Sequence, residues 1–402
     1  MSQDLFKYLN RNNDKVNPVI EEKIKKYWYE ARAYVRKMLP IWEGEGGINK
    51  DSKKHLHFVV KDINERTLAV ARQIALMAHY TNFNDYDKET SDETATHITF
   101  IYNQGEQDKV TKMIEDEAFL GNLLHYCKEK YVDVKIHLQE EEPNDSSKIT
   151  INNDEIAKDT ETKYEIDTFM AEYVNMAYNI GTEIDNLPAD DPNTAKRYDL
   201  ALDVFCEQKS DEERQKLWDE NIEDVVKPKE ANQYAVRNVL SNVFCADCFE
   251  SRMRGIVGLM KKEDRPDLNG KSITDYIKDL LKKKDKKERK YLINQFQSKV
   301  KETIAKNLEN ISRCEHSRWV VEKLILGFKP LTLEDHYNDA ELFGRARENQ
   351  RNKLKKENYR HIDICSYKDL RRLSPNHMKY DCFLMLAIPY IMRSYCDHLI
   401  KK

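Results

Sequence analysis

Two rhythms of apolar residues alternate along this chain. Near the N-terminus, KYWYEARAYVRKMLPIW places Trp28, Ala31, Tyr34, Val35 and Met38 at three- and four-residue steps, the spacing of one helix face. Pro40 is expected to end this helix, because proline lacks the amide that the next turn needs. GEGGINKDSKK, Gly44 to Lys54, reads as linker. The rhythm then shortens. HLHFVVKD, THITFIYN from Thr96 to Asn103, and VDVKIHLQE are brief runs rich in Val and Ile, the mark of strands. ERTLAVARQIALMAHY follows the first and gathers Leu68, Ala71, Ile74, Ala75 and Ala78 on one helical face. A further helix precedes the third strand. This β-α-β-α-β order predicts a parallel sheet of the Rossmann type.

Beyond the third strand the helical rhythm takes over. Residues 139–163 form a polar insertion with at most a short strand at Lys148–Ile151. YEIDTFMAEYVNMAYNIGTEID is helical, LPADDPNTAKR is a turn-rich connector, and a charged helical region runs from Tyr198 to Val226. Asn232 to Gly258 is the most apolar helical stretch of the middle, with Tyr234, Val239, Val243, Phe244 and Met253 available for a core. Residues 261–306 are lysine-heavy, with Tyr276, Ile277, Leu280 and Leu281 opposite the charge. Last comes Cys314 to Gly327, CEHSRWVVEKLILG. Trp319, Val320, Lys323, Leu324 and Gly327 form one stripe, and Glu315, Arg318 and Glu322 stand at spacings for ion pairs on the helix surface.

Composition narrows the class. Charged residues make up 34% of the chain and hydrophobic ones 40%, the balance of a soluble, helix-rich protein. A net charge of −4 argues against a dedicated nucleic-acid coat. No apolar run reaches bilayer length, and the polar start MSQDLFKYLNRNND has no signal-peptide core. Eight cysteines without a framework point to reduced thiols and a cytoplasmic location. The stripe from Trp28 to Met38 suits packing against a neighbour or a second subunit.

Catalytic motifs are missing. After the first strand stands Lys61-Asp62-Ile63-Asn64-Glu65-Arg66 where a dinucleotide loop needs glycines. Its backbone cannot approach a pyrophosphate closely, and Asp62 and Glu65 repel one. Cys245-Ala-Asp-Cys248 has C-x-x-C spacing but no second ligand pair for zinc, and it lies in a helical run rather than after a strand. Asp190-Asp191 lacks a third ligand at recognisable spacing. No catalytic residue, metal ligand or cofactor is assigned.

The C-terminal pattern resembles the RyR domain, the module repeated in ryanodine receptors and found singly in many bacterial proteins. The family runs from a His-x-x-Trp helix through a Gly-aromatic turn and a charged loop to His-x-(apolar), a Pro-Tyr-x-x-Leu-like stretch and a Lys-x-Asp helix. Those steps stand here as His316 and Trp319, Gly327-Phe328, residues 329–360, His361 to Ile364, Tyr367 to Leu370, and Tyr380-Asp381. The usual Gly-Trp turn is Gly-Phe here, and Ser366 stands where proline is expected. The likeness covers roughly the last quarter of the chain. VARQIALMAHYTNF resembles, more faintly, the TrkA-N-type Rossmann domain that accompanies RyR modules in some bacterial proteins.

The expected fold is therefore α/β plus α. A helical extension over 1–43 precedes a degenerate Rossmann-like domain over 54–230. A helical linker region over 231–306 follows, then a small, mostly helical RyR domain over 307–402. The resemblance implies a binding protein, a cytoplasmic sensor or adaptor for a nucleotide-like small molecule, with bacterial defence as a setting. Its expected ligand residues are Glu315, His316, Arg318, Trp319, Phe328, His361, Asp363 and Tyr367. Trp319 is read either as a base-stacking surface or as a core anchor, and the run Arg345, Arg347, Arg351, Lys353, Lys355 and Lys356 either as phosphate contacts or as a mobile arm. Receptor repeats come in pairs, so a homo-oligomer is expected. The alternatives are a nucleotide-processing or NAD(P)-linked enzyme using the sheet crevice, and a protein-interaction scaffold.

Overall fold

The computed structural model describes residues 18–44, 46–85, 91–116, 120–158, 169–183, 214–220, 232–268 and 270–401. Helix α1 spans Pro18–Glu43 and buries Trp28, Ala31, Tyr34, Val35 and Leu39. Pro40 does not end it. The helix continues for three residues beyond the proline, and Trp42 is held edge-on against Phe58 at 5.0 Å. The Pro40 carbonyl also accepts bonds from the Gly44 amide and from Arg254, both at 3.1 Å. Packing outweighs the loss of one helical amide.

Strands β1 (His57–Val60), β2 (Thr96–Ile101), β3 (Val134–Gln139) and β4 (Ile149–Ile151) form one parallel sheet in the order β3-β2-β1-β4. Phe58 pairs with Ile98 and Ile149, and Ile98 with Ile136. Alternation then sends Phe58, Val60, Phe100 and Val134 into the core. The opposite face carries a histidine row. His57 bonds Asp145 at 3.0 Å and Thr99 at 2.9 Å, and His97 bonds His137 at 2.8 Å. Burial pushes His97 down to about 4.

Helix α2 (Glu65–Met77) links β1 to β2, and α3 (Gln107–Asp116) with α4 (Gly121–Tyr126) links β2 to β3. The glycine-free turn after β1 is a helix start. The Asn64 side chain accepts the amides of Arg66 and Thr67 at 3.0 and 3.2 Å, and Thr67 closes a reciprocal cap. After α5 (Asn153–Lys158) the remainder is mainly helical: α6 (Phe169–Glu183), α7 (Asn232–Asp247), α8 (Phe249–Gly258), α9 (Ile273–Leu281), α10 (Lys286–Lys306) and α11 (Leu308–Ile325). Residues 214–220 are also helical. Asp190-Asp191, most of the region from Tyr198 to Val226, and residues 1–17 lie outside the described residues.

The charged stretch 329–360 is not a loop. Between the two-residue strands β5 (Lys329–Pro330) and β6 (Arg360–His361), which pair in parallel, it forms α12 (Leu333–Ala340) and α13 (Gly344–Glu357). α14 (Tyr367–Leu373) and the long α15 (Met378–Lys401) finish the chain. One hydrophobic core runs from Trp28 of α1 through the sheet and middle helices to Cys396 of α15. Buried polar ties reinforce it: Asp247 of α7 takes Arg32 of α1 through bonds of 2.7 to 3.0 Å and Gln73 of α2 at 3.2 Å. The architecture is mixed α/β with a small parallel sheet and a large helical part.

Candidate functional site

Helix α11 lies between α2, α4, α7, α10, α14 and α15, so its charged positions from Arg313 to Lys323 are interior. The ion pairs expected on its surface form, but inside the protein. Arg318, fully buried, reaches Glu315 at 2.8 Å and also bonds Glu322. Arg252 of α8 meets Glu315 at 3.4 Å, and Ser241 of α7 bonds Glu322. Lys323 ends this network. Its Nζ lies 2.9 Å from Glu322 and 3.1 Å from the Ser241 hydroxyl, and 5.4 Å from the Trp319 ring centre. A cation is thereby fixed over an aromatic face.

Beside Lys323 opens a cavity of about 450 Å³, inside the size range of small-molecule sites. Asn175, Tyr178 and Asn179 of α6 line it, as do Ser241 and Asn242 of α7. α11 adds His316, Trp319 and Lys323, and the turn after it adds Phe328. Lys355, His361, Asp363, Leu370, His377, Tyr380 and Asp381 complete the wall. His361 stands edge-on to Trp319 at 4.9 Å, and His316 lies nearly parallel to Trp319 at 6.0 Å. Asn242 donates to the Asn175 carbonyl oxygen at 3.2 Å.

Four titratable residues in the wall differ in state. His316 is 3.0 Å from the Cys365 carbonyl and 3.5 Å from Asp381. Burial opposes its charge, but these partners outweigh burial and hold the ring well above the usual histidine value. Burial lifts Asp381 to about 6. His361 goes the other way, pushed by burial to about 3. The Asp363 amide donates to its Nδ1 at 3.2 Å, so the neutral ring carries its proton on Nε2. For Asp363, burial opposes ionisation, yet the bond from His377 at 2.6 Å and neighbouring His361 hold it well below the usual carboxylate range. Its other oxygen, Oδ1, is buried and has no hydrogen-bond partner among the described residues.

The sequence-expected residues divide into two groups. His316, Trp319, Phe328, His361 and Asp363 meet at one cavity, and Tyr367 packs against His316 at 5.6 Å. Glu315 and Arg318 do not line it. They sit on an adjacent face of α11, committed to Arg252, Glu322 and each other. Of the basic run, Lys355 lines the cavity, while Asp339 engages Arg347 and Arg351 at 2.7 and 2.6 Å. The α6 and α7 contributions and His377 were not singled out. One signal for them exists: Asn175 and Asn179, four residues apart in a largely apolar helix, mark a polar spot on one face.

Other candidate chemistry stays in the core. Cys245 and Cys248 are buried, and burial pushes both thiols up. No group of His, Cys, Asp and Glu fit to hold a metal occurs among the described residues, and none of the described helices is long and apolar enough to cross a membrane. No family model, curated protein or solved structure matches the chain.

Proposed function

We propose that the protein is a binding protein, a sensor or adaptor, whose C-terminal segment is an RyR-like module taking a nucleotide-like small molecule in the α6–α7–α11–α15 cavity. One observation carries this reading. Five residues expected at the site, spread from His316 to Asp363, line one cavity together with a fixed lysine. Trp319, Phe328 and Tyr380 offer flat faces to a planar ring, and Asn175, Asn179 and Asn242 offer amides to its edge. The strand order 3-2-1-4 is that of part of a doubly wound sheet, which supports a Rossmann-like scaffold. The capping box after β1 speaks against a pyrophosphate there.

Thermal-shift screening against nucleosides, nucleotides and dinucleotides tests the reading, with Trp319→Ala alongside. A ligand at about 100 times its dissociation constant adds about 2.7 kcal/mol of stability. One ligand class should raise the melting temperature of the wild type and leave the folded variant unmoved. Equal shifts in both proteins would place binding elsewhere.

A further inference from the structure

A second cavity, of about 350 Å³, adjoins the first and shares Lys355, His361 and His377 with it. Its chemistry is different. Arg347 and Arg351 of α13 and Arg360 of β6 line it, and Glu348 is the carboxylate among its lining residues. The arginines are held in place. Asp339 takes Arg347 and Arg351, and Asp335 takes Arg360 at 2.6 Å. Arg347 binds Asp339 through Nε and Nη2, and Arg360 binds Thr332 and Asp335 through Nη1. Arg347 Nη1 and Arg360 Nη2 therefore keep N–H groups without a protein acceptor among the described residues. Arginines fixed in this way form an anion receptor that loses little side-chain freedom on binding.

The shared wall restricts the ligand further. Asp363 is tied to His377 and stands beside His361. It is 6% exposed and lines the first cavity. A carboxylate at that point repels an anion and favours a hydrogen-bond donor, which a hydroxyl supplies. A molecule occupying both cavities must then present a planar ring, a hydroxyl or similar donor, and an anionic group, in that order. A ring, a sugar and a phosphate satisfy this sequence. We propose that the site takes a nucleoside phosphate in two parts, with its base among the aromatic residues of the first cavity, its sugar hydroxyl on Asp363, and its phosphates among Arg347, Arg360 and Lys355.

This inference rests on the reading of the first cavity, and one experiment separates the two. Titration calorimetry on the full chain compares the four common ribonucleosides with their 5′-mono- and triphosphates and with inorganic triphosphate. It is done at low and at physiological salt, for wild type, Arg360→Gln and Arg347→Gln/Arg360→Gln. In the wild type one triphosphate should bind at least about tenfold tighter than its nucleoside, with the advantage shrinking as salt rises. The double variant should lose about tenfold of that advantage with nucleoside affinity unchanged, and the single variant, which serves if the double fails to fold, should lose part of it. If nucleoside and triphosphate bind the wild type equally, the phosphate subsite falls while the first-cavity reading stands. Inorganic triphosphate binding as tightly as the nucleoside triphosphate would overturn the two-part ligand. Binding by none of them would remove both readings.

Discussion

Arg318 and His316 are two residues apart on one helix and have opposite assignments. Arg318 faces the interior, fully buried between Glu315 and Glu322. Arg318→Met would leave those carboxylates short of a cation, and losing one member of a buried ionic set costs about 3–5 kcal/mol. Urea denaturation should show that loss, and a change within error would mean the network is dispensable. His316 faces the cavity and Asp381, and both groups are raised above their usual values. A raised group contributes stability below its unfolded value and loses it as pH climbs through its folded value. Against the neutral pair His316→Gln/Asp381→Asn, the wild type should lose stability from about pH 4 through about 6 as Asp381 titrates, and further above about 6.5 as His316 does. A pH-independent difference would sink this assignment. The spacing of Glu315, Arg318 and Glu322 made their pairing legible in the sequence. Its burial was not legible, since that depends on α2, α7 and α15, which are distant along the chain.

Elements were legible where apolar residues carry the period. The first three strands and α2 match their patterns, while β4, expected as at most a short strand in a polar insertion, joins the sheet beside β1, and the turn without glycines is a helix cap, as Asn64 and Thr67 allow. α13 shows where the period fails. GRARENQRNKLKKE has one buried residue, Leu354, so no apolar stripe announces a helix. Its arginines, lysines, glutamates and glutamine are nonetheless good helix formers. Asp339 supplies the missing tertiary anchor by taking Arg347 and Arg351. Asp339→Asn weakens that anchor by roughly 1–2 kcal/mol. Hydrogen exchange should speed up in α12 and α13 and stay unchanged in α11. Equal acceleration in α11 would show that the hairpin does not open independently.

Across the whole molecule, the resemblance drew a boundary near residue 307, but the core crosses it without a break. Five residues of the cavity wall, Asn175, Tyr178, Asn179, Ser241 and Asn242, come from α6 and α7 before that boundary, and α11 packs on α2, α4, α7 and α10 from earlier in the chain as well as on α14 and α15. A fragment of residues 307–402 would expose the α11 ion network and the apolar faces of α15 to water. It should therefore lack the cooperative thermal transition of the full chain when followed by circular dichroism. A fragment that melts cooperatively would show a self-sufficient module. Local spacing can bring His316 to Trp319, one turn apart. It cannot show that Asn175 and Asn242 stand across from them.

The α12–α13 hairpin has its own three-residue core of Leu331, Leu354 and Ile362, apart from the main one, while supplying Lys355 and the arginines to the cavities. A wall on so small a foundation sets a clock. On the proposed reading, a bound molecule would leave when the hairpin lifts, an opening expected to be more frequent than global unfolding. Residence time should then follow the hairpin's opening rate, so that warming would shorten occupancy well below the melting temperature.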